Sequence, residues 1–145
     1  MLSCPCMARI LTDERHWPLV LVVWPEHPVT DEDLEDFFQV SERQLNRGRH
    51  VVLHLADGAS GLGARHRRAM AAHIKRFQSD LERNVLAGAV VLRNPVLRGM
   101  IIATNWLAPP PSPQRIFAHR DAAEAWLMQV LREAGEVYAA APAPA

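Results

Sequence analysis

Apolar residues in this chain fall into short continuous runs, separated by longer stretches in which they recur every three or four positions. The runs suit strands buried on both faces, and the three-four spacing marks one face of a helix. The strongest run is Leu19-Val20-Leu21-Val22-Val23, inside a strand expected from Pro18 to Trp24 and ended by Pro25 and Pro28. A weaker one, Ala8 to Thr12, closes on the turn-like Asp13-Glu14 and can pair with it as a hairpin. His50 to Leu55, Val85 to Leu92 and Arg115 to Ala118 complete the expected strands.

Between them lie four helical patterns. Thr30 reads as an N-cap, with Asp31, Glu32 and Asp33 at the positive end of the helix dipole and Val29 placed to staple onto Leu34. Leu34, Phe37, Phe38, Ser41 and Leu45 trace its face, and Gly48 stands where a C-terminal cap belongs. Met70, Ile74, Phe77 and Leu81 mark a second helix over about Ala64 to Arg83. Asn94-Pro95 opens a third, to about Leu107, and a Pro-rich connector follows from Ala108 to Gln114. The last begins near Asp121, with Glu124 as a capping-box partner, and buries Ala123, Trp126, Leu127, Val130 and Leu131 before Gly135.

The order β-β-α-β-α-β-α-β-α implies right-handed crossovers and an α/β fold. Its sheet is mixed and mostly parallel, with an N-terminal β-hairpin. Residues 1–7 read as a flexible N-terminus, 8–135 as one domain, and 136–145 as a disordered Ala/Pro tail.

Composition narrows the function classes. The 145 residues are 49% hydrophobic and 22% charged, with zero formal net charge, so the basic footprint of a nucleic-acid binder is missing. No apolar run is long enough to span a membrane, and the first residues lack a signal-peptide pattern, which makes the cytoplasm the expected location. Arg outnumbers Lys, represented by Lys75 alone, and Ala is abundant; this points to a GC-rich bacterial genome. Cys4 and Cys6 are too few for a disulfide framework or a complete zinc site, so no metal is expected.

The best candidate for chemistry is the loop Asp57-Gly58-Ala59-Ser60-Gly61-Leu62-Gly63, between a strand end and a helix start. Exposed amides at a helix start attract anions, but the nucleotide motifs fail: Ala64-Arg65 stand where a P-loop needs Lys and Ser/Thr. No cofactor is therefore expected. Arg65, Arg67 and Arg68 crowd the first helical turn, against the dipole, which suggests an anionic partner. Arg65, Arg68 and Arg76 share the face opposite Met70 and Ile74, and a simply solvated arginine face fits the same pattern. The first helix is correspondingly acidic, so the two could recognise different partners or a second copy of the chain. His66 and His73 lie too far apart to chelate one ion alone, and His54 reads as a buried, hydrogen-bonded strand residue. No nucleophile elbow, H-E-x-x-H or paired-carboxylate signature is present.

Several segments taken together resemble the STAS and SpoIIAA-like superfamily, and most closely its branch sometimes labelled STAS/SEC14. They are the strand from His50 to Asp57, the arginines from Ala64 to Arg68, Ala87-Gly88-Ala89-Val90-Val91, Ile116-Phe117, and Ala123-Glu124-Ala125-Trp126-Leu127. The resemblance covers roughly Ala8 to Leu131. Anti-sigma-factor antagonists of that superfamily carry D-S-S-G-L-G with a phosphorylated second serine, which the resemblance places at Ser60; Gly58 and Ala59 replace the acid and first serine. What it implies is a non-enzymatic regulatory or scaffold module. Such a module would bind a protein through the 57–68 loop and helix start: Asp57, Gly58, Gly61, Gly63, Arg65, Arg67 and Arg68, with Arg76 beyond. The alternative is a domain holding a small apolar or lipid ligand, suggested by that label and by the apolar residues from Val96 to Leu107.

Overall fold

The computed structural model describes residues 9–59 and 62–136. Five strands form one sheet in chain order: β1 (Leu11–His16), β2 (Leu19–Val23), β3 (His50–Leu55), β4 (Val85–Val91) and β5 (Gln114–Phe117). The β1–β2 pair is antiparallel and the other pairs are parallel, which is the mixed sheet with an N-terminal hairpin that the pattern predicts. The helices are α1 (Asp31–Arg47), α2 (Ala64–Arg76), α3 (Gln78–Asn84), α4 (Pro95–Leu107) and α5 (Arg120–Glu133).

Three boundaries differ from the sequence expectation. The first strand runs over Leu11–His16 rather than Ala8–Thr12, because pairing with β2 continues through the expected turn, Asp13 opposite Leu21 and His16 opposite Leu19, with an irregularity between them. The tight turn comes later, where the Trp17 amide donates to the Glu14 carbonyl. The single helix expected over 64–83 is two, broken at Phe77, whose ψ of 19° leaves the helical range. The capping box expected at Asp121 does not form. The helix starts a residue earlier, behind His119, and Glu124 accepts instead from Arg120 Nε.

Elsewhere the local chemistry acts as read. Thr30 and Asp33 cap each other's backbone amides, and the Asn94 side chain accepts from the amides of Val96 and Leu97. Gly135, at φ 74°, closes α5 in a Schellman turn: its own amide reaches Arg132 and that of Glu136 reaches Leu131.

Strand alternation then divides the sheet. Val51, Leu53, Ala87, Ala89 and Val91 face α5, where Ala123, Leu127 and Leu131 are fully or almost fully buried against them. The small β4 alanines let the α5 leucines approach the sheet closely. His50, Val52, His54 and Gly88, at the alternate positions, face the other way, toward α1, α2 and α3.

Leu127→Ala removes the centre of the α5 contact and is expected to cost about 2–5 kcal/mol in urea unfolding. A loss below about 1 kcal/mol would contradict the described seating of α5.

Candidate functional site

The face away from α5 is not filled. A cavity of about 180 Å³ lies between this side of the sheet and the helices α1 to α3, with the connector 110–113 along one side. Its floor is a row across three strands: Val52 pairs with Gly88, and Gly88 pairs with Gln114. Gly88 is buried, yet a Cβ built on it meets nothing within 4 Å, so the glycine leaves space that a side chain would occupy. A glycine inside a strand often marks such a close approach to a ligand. Phe37, Ser41 and Gln44 enter from α1, Met70, His73 and Ile74 from α2, and Leu81 from α3.

Three histidines line this space, and their tautomers follow from their partners. The His50 Nδ1 lies 2.8 Å from the Gly48 carbonyl, which can only accept, so Nδ1 carries the proton. The His54 Nδ1 accepts from the Trp24 indole N–H at 3.1 Å, so its proton sits on Nε2. His73 stacks on Phe38 with ring centroids 4.2 Å apart and an interplanar angle of 6°. Its Nε2 is buried without a hydrogen-bond partner. Such an orphaned buried nitrogen is rare and asks for a cause.

Desolvation pushes all three imidazoles below the usual histidine range, that of His54 to about 4. The Gly48 carbonyl and Glu14 oppose the shift at His50; Glu42 and Glu35 oppose it at His73, where Arg76 reinforces it. All three rings are therefore neutral at pH 7. Sequence reasoning finds His54 as a hydrogen-bonded strand histidine but not the grouping. The available signal is the period-two spacing of His50, Val52 and His54, which sets two polar residues on one face of an otherwise apolar strand.

The arginine-rich helix start is largely engaged within the chain. Asp31 on α1 accepts from Arg65 at 2.8 Å and from His66 Nε2 at 2.7 Å, and these contacts hold its carboxyl below the ordinary range, His66 most of all. The acidic and basic helices thus meet through this cluster rather than forming wholly separate patches. Arg67 donates to the Leu62 carbonyl, and the Arg76 guanidinium lies over the Phe77 ring. Arg68 is exposed. Asp57 bridges two strand ends, accepting from the amide and Nε of Arg93. At Gly58 a Cβ would stand 2.8 Å from Glu26 Cγ, so only glycine fits there without a shift. Gly63 is the backbone N-cap of α2. Ser60 and Gly61 lie outside the described residues, as do Cys4 and Cys6.

The apolar residues from Val96 to Leu107 do not line the cavity. In α4 the less exposed positions are Arg98, Ile101 and Asn105, one helical face. Arg98 donates to the carbonyls of Leu92 and Arg93, and Asn105 to Gln114 Oε1 at 2.7 Å. Val96 and Met100 point outward, and Trp106 and Leu107 are 85% and 89% exposed. The helix therefore holds the body with polar groups and shows apolar ones to the outside. Among the described residues no group of three or more His, Cys, Asp or Glu is placed to hold a metal, and no helix is long and apolar enough to cross a membrane.

The mixed five-stranded sheet has a solved counterpart. An uncharacterized DUF3478-family protein with a SpoIIAA-like fold from Shewanella loihica superposes with a TM-score of 0.59 at 18% identity, over 82% of this chain and 94% of that one. The chain has a SpoIIAA-like fold. At this identity the likeness concerns fold alone. No protein-family model matches the sequence, and neither does any curated protein.

Because His54 binds protons more weakly in the folded SpoIIAA-like domain than in the unfolded chain, the unfolded state gains protons first as pH falls below about 6.5. Stability is then unaffected by this group above pH 6.5 and declines toward pH 4, by at most about 3 kcal/mol. Urea midpoints between pH 7 and 4.5 should show the decline, and His54→Phe should flatten it. An unchanged slope in that variant would contradict the assignment.

Proposed function

We propose that this chain is a ligand-binding module that holds a small, mainly apolar molecule in the cavity between the sheet and α1 to α3. The observation carrying this reading is the space above Gly88, a partly open cavity lined by apolar side chains, Phe37 and a few polar groups. A well-packed core fills such space, and this one does not. No constellation of nucleophile, base and oxyanion donors accompanies it among the described residues, so binding rather than turnover is the role the residues support.

The test is Gly88→Val. Valine favours a strand, and the position has room for it, so the unfolding midpoint should hold or rise. Saturation-transfer NMR with toluene should show binding to the native chain and at least about tenfold weaker binding to the variant. Equal binding to both would place the site elsewhere.

A second reading, protein docking through the 57–68 surface with a phosphoacceptor at Ser60, is favoured by one observation. Arg68 stays exposed on the first turns of α2, where its charge opposes the helix dipole. Phosphate at Ser60 would supply the matching anion. Under this reading Ser60→Asp and Ser60→Ala change affinity capture of a phosphorylation-sensitive partner in opposite directions. Identical capture by both removes the switch.

A further inference from the structure

The helix α4 carries the residue pattern of a helix that faces a core, and that face is turned away from the body. Arg98, Ile101 and Asn105 lie on its inner side, and no residue of the helix is buried. Opposite them run Val96, Gly99, Met100, Ala103, Trp106 and Leu107. These are the first, fourth and fifth positions of two successive heptads, the stripe that a core-facing helix buries. All six are exposed instead. With Leu97 and Ile102 on its flanks, the stripe leaves roughly 700 Å² of surface open, beyond the 300–600 Å² of a typical monomer's largest apolar patch.

The chemistry of this face narrows what covers it. A helix lying on lipid flanks its apolar face with Lys or Arg. Arg98 is the only basic residue of α4, and it is turned to the body, donating to the carbonyls of Leu92 and Arg93. A surface that selects an unlike protein offers charge complementary to it. The stripe holds no Asp, Glu, Lys or Arg. Two copies of the chain, each with zero formal net charge, meet there without like-charge repulsion.

Area and polarity both fit such a pair. A standard protein interface takes about 600–1,000 Å² from each partner, which is what the stripe and its flanks supply. The first turn of α4 has no acidic residue and the last turn no basic one, so neither end of its dipole is compensated. An antiparallel mate sets each end beside the opposite one. Gly99 and Ala103, near the middle of the helix, allow two backbones a short interaxial distance.

We propose that two copies of this chain pair through α4, their helices antiparallel across a two-fold axis. This surface goes beyond the ligand-binding reading and is separate from it, since none of the stripe residues lines the cavity.

Sedimentation equilibrium of the full chain from about 1 to 100 μM tests the pairing. The expected result is a species of twice the 16.2 kDa chain mass, with a dissociation constant of about 10 μM or tighter. Because the stripe is uncharged, raising NaCl from about 0.05 to 0.5 M should change that constant by less than about threefold. Ala103→Glu puts a carboxylate from each copy into the joint, at an exposed position where Glu keeps the helix. It should retain the native circular dichroism and pair at least about thirtyfold more weakly. Trp106→Gln, which removes a side chain that is almost wholly exposed in the single chain, should weaken pairing at least about tenfold and leave the fold intact.

A native chain that stays monomeric throughout would overturn the proposal; if that monomer bound phosphatidylcholine vesicles, the occupant of the stripe would be lipid. A dimer unchanged in both variants would overturn it by placing the interface elsewhere. So would a dimer that salt dissolves, which would assign pairing to the charged helices α1 and α2. Toluene binding by a monomeric chain would remove the pairing and leave the ligand-binding reading standing.

Discussion

The seating of α5 on β3 and β4 is the contact on which the rest depends. Leu127 and Leu131 close on Val51, Leu53, Ala87 and Ala89, all fully buried or nearly so. Burying an aliphatic side chain of this kind stabilises a fold by roughly 1.5–3 kcal/mol. That contact fixes the pleat of the two central strands. Once it is fixed, the alternate residues have no choice of side: His50, Val52, His54 and Gly88 must face α1, α2 and α3. The second face is buried in part as well, at Val20 and Val22 beside Val52 and His54, and stays open only around Gly88.

Much of this architecture is legible in the order of residues. Thr30 with Asp33, Asn94 before Pro95, and Gly135 after the last apolar turn all announce helix ends through local hydrogen bonding, and local bonding is what a sequence displays directly. The strand runs are legible for the same reason. The break at Phe77 is not, because the stripe of Met70, Ile74, Phe77 and Leu81 continues through it without a Gly or Pro to mark the turn. The missing capping box at Asp121 fails for a related cause: Arg120, one residue earlier, competes for Glu124.

The site itself was far less visible. The loop from Asp57 to Gly63 draws the eye by its glycines, yet Gly58 is explained by the approach of Glu26 and Asp57 by its bond to Arg93. The charge at Arg65 is answered by Asp31, 34 positions away, a pairing no local pattern encodes. Conversely, the space beside His54 exists because residues from β3, β4, three helices and a proline-rich connector fail to close over one glycine. An empty volume has no residue of its own to be read.

Gln114 belongs to two structures at once. It forms part of the wall facing the vacant space, and its side-chain oxygen receives the amide of Asn105, one of the few polar grips that keep α4 on the body. With no buried residue of its own, α4 has little else to hold it. Under the proposed ligand-binding reading, occupancy of the interior and docking of the outermost helix would be joined by a single side chain. On that reading, whatever free energy a ligand gained from Gln114's placement would be felt by α4, and by thermodynamic reciprocity the influence would run equally in both directions.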